Sequence, residues 1–114
     1  MIYLASPYTH TDPAVVEKRV EQACRGAAAL MAKGLTVFAP IPHSHAIAAH
    51  LPADAQFDHE FWMQQDLAVL RHCQHVVVLC LTQWAESKGV RREIDVATAC
   101  GIPITYINPE EFGL

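Results

Sequence analysis

Several things are scarce in this sequence, and each scarcity narrows the reading. No run approaches the ~20 consecutive apolar residues of a membrane-spanning helix. The N-terminus, Met-Ile-Tyr-Leu-Ala, lacks the basic and apolar regions of a secretory leader. Basic residues are few: eight Lys and Arg against twelve Asp and Glu give a formal net charge of −4. A nucleic-acid-binding module is usually basic, so duplex binding is discounted. The four cysteines, Cys24, Cys73, Cys80 and Cys100, include no C-x-x-C pair. They read as small core residues of a reduced, cytoplasmic protein rather than a disulfide or zinc framework. No G-x-G-x-x-G follows the first apolar run and no Walker A motif occurs, which argues against nicotinamide chemistry and P-loop phosphoryl transfer.

What is present is apolar. Hydrophobic residues make up 52% of the 114, enough for one compact domain spanning residues 1–114. Ile2 to Ala5 reads as a first strand ended by Ser6-Pro7. Asp12 caps a helix with Pro13 at its first position. Val16, Val20, Ala23, Ala27, Leu30 and Met31 recur at helical spacing until Gly34 closes the segment. Leu35 to Ala39 is a second strand. Pro40 to Pro52, with three prolines and three histidines, reads as a loop with a short helical turn over Ser44 to His50. Asp58 to Arg71 is a helix, and His75 to Leu81 is a β-branched strand of the kind covered on both faces. Thr82 to Glu86 is a loop, Ser87 to Cys100 a helix ended by Gly101, and Ile102 to Ile107 a fourth strand. Strands alternating with helices predict an α/β protein: a three-layer, Rossmann-like (flavodoxin-like) fold with a parallel sheet of four or five strands.

In such sheets ligands bind at the C-terminal rim of the strands. Two carboxylates stand out near it. Asp66 falls between Trp62, Met63, Val69 and Leu70 at helical spacing. Glu93 is flanked by Val90, Ile94 and Ala97. A buried carboxylate without partners costs several kcal/mol. Either each one sits at the edge of its stripe and reaches water or Arg71, Arg91 or Arg92, or the two form a shared site. Paired carboxylates in different environments suit chemistry at a sugar carbon. Ser87 and Gly89 open the same helix as Glu93, where free N–H groups can bind anions, although Ser87 can also be a plain N-cap. His43 and His45, with His50, Asp58 and His59 nearby, could hold a metal. More simply, they hydrogen-bond the loop or line the cleft, because no third ligand has a recognisable spacing. Trp62 and Trp84 read as core or cleft wall.

Together these residues resemble the nucleoside 2-deoxyribosyltransferase superfamily, which includes the 2′-deoxynucleoside 5′-phosphate N-hydrolases. Ile2-Tyr3-Leu4-Ala5-Ser6-Pro7-Tyr8 and Pro42-His43-Ser44-His45 are most similar to the uncharacterised DUF1937 family. The superfamily resemblance implies that Tyr3 orients a catalytic glutamate. It implies that Asp66, of the pair Asp66-Leu67, assists and protonates the departing base. Ser87, Gly89, Val90 and Glu93 match an S-x-G-V-x-x-E pattern, with the serine near a 5′-phosphate and Glu93 as nucleophile. Arg91-Arg92, Ser6-Pro7-Tyr8 and the histidine segment depart from that pattern.

The expectation is therefore a hydrolase or transferase of the N-glycosidic bond of a nucleoside or nucleotide. Glu93, Asp66 and Tyr3 would be its catalytic residues. Ser6, Pro7, Tyr8, His43, His45, Ser87 and Gly89 would lie against the substrate. No metal or organic cofactor is implied. The resemblance also implies a homo-oligomer. The alternatives are a non-catalytic nucleotide sensor and a metal-dependent hydrolase built on His43 and His45.

Overall fold

A computed structural model describes residues 1–114. Strand β1 (Ile2–Ala5) leads into helix α1 (Pro13–Ala32), edge strand β2 (Val37–Phe38), and helices α2 (Pro40–Ala48), α3 (Ala53–Gln56) and α4 (His59–Leu70). Strand β3 (His75–Leu79), helix α5 (Lys88–Ala99) and strand β4 (Ile104–Ile107) complete the order. The sheet is fully parallel with four strands in the order β2-β1-β3-β4, flanked by helices on both faces as a three-layer Rossmann-like fold. Chain direction across the sheet reverses between β1 and β3, which pair with Tyr3 beside Val76 and Ala5 beside Val78. That reversal is the topological switch point, where the loops after two neighbouring strands part and leave a crevice.

Alternation along the strands divides the core. Tyr3, Ala5, Val76 and Val78 face α4 and α5, packing with Met63, Leu67, Leu70, Val90 and Ala97. Leu4, Val77 and Leu79 point the other way, against Ala27 and Leu30 of α1. Helix α1 approaches the sheet closely: a Cβ at Gly26 would stand 3.0 Å from Leu79 Cδ2. The caps follow the sequence. Asp12, Asp58 and Ser87 accept from the first turns of α1, α4 and α5, and Gly34 turns the chain at φ 87°.

Several expectations need correction. Pro40 to Ala48 is a helix rather than a loop with a turn at Ser44. Pro40 and Pro42 fall in its first turn, where the missing N–H groups would have had no partner. The second strand is shorter than Leu35 to Ala39, because Leu35 and Thr36 are exposed at the sheet edge. β3 ends at Leu79 and β4 begins at Ile104. Cys24 and Cys100 are exposed, so only Cys73 is a core cysteine and Cys80 is half-buried. Helix α3 and the 3-10 turn at Pro109–Phe112 lie in segments to which the sequence pattern assigns no element. No helix is long and apolar enough to cross a membrane.

Candidate functional site

The two singled-out carboxylates come together beneath the α4/α5 face. Glu93 of α5 is 4% exposed and Asp66 of α4 is 7% exposed. The Tyr3 hydroxyl, from β1, donates a buried hydrogen bond to Glu93 Oε2. No arginine reaches either acid. Arg92 instead forms a forked pair with Glu60, at 2.5 and 2.9 Å, and Arg91 donates to the Ala85 carbonyl.

Electrostatics follow from this burial. Removal from water raises Glu93 to about 8; the Tyr3 hydrogen bond opposes that rise and the neighbouring Asp66 charge adds to it. Burial likewise raises Asp66 to about 6. Burial and the two adjacent carboxylates push the Tyr3 phenol far up, so it remains a donor at every ordinary pH. Between about 6 and about 8 the acid pair holds one proton.

Asp66 opens onto a cavity of about 330 Å³ whose apolar wall includes Phe38, Ile47, Phe61, Trp62 and Val69. His43, Ser44 and Gln65 supply polar atoms. The volume fits a small heterocyclic ligand, and the aromatic rings offer flat faces to one. Glu93 lies behind Asp66 and does not line this cavity.

The other expected substrate-binding residues divide. Ser6 and Pro7 are buried where β1 ends, and Ser6 Oγ has no hydrogen-bond partner. The hydroxyl of Tyr8 meets His45 Nδ1 at 2.8 Å, and His45 Nε2 meets Glu17 Oε1 at 3.1 Å. His45 therefore faces α1, while His43 packs on Phe38 with ring centroids 5.3 Å apart. Two histidines with different partners do not converge on one ion, and no group of three metal-ligating side chains gathers anywhere in the chain. Ser87 caps α5 through Val90 N–H. The N–H groups of Lys88 and Gly89 have no backbone partner, as in any first helical turn. A Cβ at Gly89 would find ordinary contacts, the nearest 3.7 Å away at Met63 Cε, so packing alone does not demand glycine there. Trp62 is wall of this cavity, and Trp84, packed on Tyr106, is wall of a second one of about 260 Å³ beside α5.

Sequence reasoning passed over Phe38, Phe61 and Gln65 in the cavity, and it passed over Arg19. Arg19 is 6% exposed on α1 and has no carboxylate partner. Its guanidinium donates to the carbonyls of Tyr8 (3.5 Å), Thr9 (2.8 Å) and Thr82 (3.2 Å), and to Gln83 Oε1 (3.3 Å). It thus ties the loop after β1 to the loop after β3 across the switch point. Gln83, which it holds, is the one non-glycine residue at positive φ (67°). The signal existed: Arg19 sits three residues after Val16 and four before Ala23, inside the apolar stripe.

No curated protein matches this chain. The family model described as a domain of unknown function, DUF1937, matches residues 1–108, and the chain belongs to that family.

Proposed function

We propose that this protein acts on the N-glycosidic bond of a nucleoside or nucleotide, deoxy or ribo, through Glu93. One observation carries the reading. Two buried acids share a single proton around neutral pH, and the outer one faces an aromatic-walled cavity of base size. Cleaving such a bond needs one carboxylate and one carboxylic acid. Glu93, which titrates higher than Asp66, holds the shared proton at neutral pH, so the reactive form is the one in which that proton has passed to Asp66. Ionised Glu93 then attacks the anomeric carbon, and the C–N bond breaks. Its electron pair leaves on the base, which takes a proton delivered from Asp66. Water or an acceptor base then attacks the glycosyl-enzyme and frees Glu93, with net retention at the sugar carbon. Tyr3 holds the Glu93 carboxyl in place throughout. The resemblance to nucleoside 2-deoxyribosyltransferases supports the assignment, and the same resemblance supports a homo-oligomer.

A second reading has its own support. Glu93 is sealed at 4% exposure, as a site that only binds would allow. A non-catalytic nucleotide sensor would use the cavity and leave Glu93 covered.

The deciding experiment screens deoxynucleosides, ribonucleosides and their monophosphates by thermal shift, then assays the hits for release of free base. The expected result is turnover by the wild type and a loss of at least about a thousandfold in Glu93→Gln, with ligand stabilisation retained. Turnover should follow a bell-shaped pH profile with limbs near 6 and 8, where the pair becomes doubly protonated or doubly ionised. A wild type that cleaves nothing, or a variant with full activity, overturns the proposal. Ligands that stabilise the wild type but are never cleaved establish the sensor.

A further inference from the structure

The segment Pro42-His43-Ser44-His45 plays no part in the chemistry above, yet its two histidines make specific contacts on opposite sides of α2. Two positions on an α-helix differ by about 200° of rotation, so residues two apart diverge. On one side, His45 stands between Tyr8 Oη (2.8 Å) and Glu17 Oε1 (3.1 Å). The neutral tautomer protonated at Nε2 satisfies both, donating to the Glu17 carboxylate and accepting from the Tyr8 hydroxyl. On the other side, His43 lies against Phe38 (5.3 Å), and Phe38 lies against Tyr3 (5.9 Å). The Tyr3 hydroxyl is the donor to Glu93.

Helix α2 has few other fastenings. Pro40 is its only buried residue, and Ala39 gives it no side-chain cap. Its other side-chain tie is Gln56 Nε2 to the Ala48 carbonyl, at 2.7 Å, at its far end. Yet α2 forms one wall of the cavity through His43, Ser44 and Ile47. A weakly buried helix that shapes a cavity depends on its few specific contacts for its position.

We propose that the Glu17–His45–Tyr8 chain is a latch that fixes α2 and, through the His43–Phe38–Tyr3 stack, positions Glu93. His45 is a positioning residue here; it need touch no ligand. The latch accounts for the different partners of the two histidines, which stand two residues apart on α2. It also gives a route by which a ligand entering beside His43 uncovers Glu93, since shifting α2 loosens the aromatic stack over Tyr3. The inference deepens the functional reading above, because it concerns the same glutamate, but it can be measured with no substrate present.

The test uses the full chain with ¹³C-labelled glutamate side chains. Glu93 titrates near 8 in the wild type because it is desolvated; Tyr3 from β1 and Asp66 from α4 are the titratable groups facing it. In His45→Ala, water entering beside Tyr3 should move that titration down by about one pH unit. Amides of α2 should exchange about tenfold faster while those of β3 stay protected. Tyr8→Phe and Glu17→Gln each remove one contact and should give part of both effects, even if His45→Ala folds poorly. His45→Gln, with one acceptor and one donor, should restore part of them.

Unchanged exchange in α2, or faster exchange with an unmoved Glu93 titration, overturns the latch. If the latch variants behave as expected and no N-glycoside is ever cleaved, the functional reading falls and the latch stands.

Discussion

The two faces of the sheet bury charge in opposite ways. On the α1 side a single cation, Arg19, is enclosed among oxygens: three carbonyls and one amide accept from it. On the α4/α5 side two acids are enclosed with one donor between them, the Tyr3 hydroxyl. Arg19 has its hydrogen-bonding capacity largely used and remains charged. The acids lack donors, so burial shifts them to about 8 and about 6, and one proton stays with the pair at neutral pH. A buried charge with a closed set of partners holds architecture together. One left short of partners beside a cavity is available for chemistry.

The sharpest way to break that contrast is to open the closed set. Arg19→Met should cost about 3 kcal/mol or more, because several buried acceptors lose their donor together. Urea unfolding measures it. Arg19→Lys should recover only a minor part, since a single ammonium does not span acceptors on two loops as a guanidinium fork does. If Arg19→Met costs under about 1 kcal/mol, the loops after β1 and β3 are held by something else and the clamp is wrong.

The opposite sign is expected on the acid side. A carboxyl whose folded value is raised from 4.5 to about 8 leaves stability intact below its unfolded value. That stability is lost as pH rises toward and through about 8, because the folded state must then bury the ionised form. Glu93→Gln keeps an acceptor for Tyr3 and removes the ionisation. The variant should match the wild type near pH 5 and exceed it at pH 9, by up to several kcal/mol. Tyr3→Phe should do the reverse, costing about 1 kcal/mol at pH 5 and more at pH 9, where the lost donor matters most. Parallel stability curves for wild type and Glu93→Gln from pH 5 to 9 would mean that Glu93 is far better solvated than its burial implies.

How much of this was legible in the sequence depends on which physical signal each part carries. The helices α1, α4 and α5 announce themselves by apolar spacing and by Asp12, Asp58 and Ser87 at their caps, and the apolar runs locate all four strands. Asp66 and Glu93 were found as charges within apolar stripes, and both are buried. Arg19 carries the same signal in α1 and was passed over, because an arginine's long stem can cover apolar surface while its head reaches water. Helix α2 was read mainly as loop because prolines usually break helices, and these two stand in the first turn, where they do not. The convergence of Tyr8, His45 and Glu17 could not be read at all. It depends on how α2 lies across α1, which no local pattern encodes.

The smallest expected effect tests the comparison at its surface. Arg92 precedes Glu93 in α5 and is bound in a forked pair to Glu60 of α4, with both side chains about half exposed (41% and 53%). The Arg92 side of α5 faces water, so its charge is screened from the buried acids even though the residues are adjacent in sequence. Glu60→Gln releases Arg92 from its carboxylate. The expected outcome is no measurable change in the urea midpoint and no movement of the Glu93 titration. A fall in that titration would mean that Arg92, once freed, reaches the buried carboxylate from the helix surface. The acid pair would then have a counter-ion held off only by Glu60, and the two faces of the sheet would differ less than their hydrogen bonds indicate.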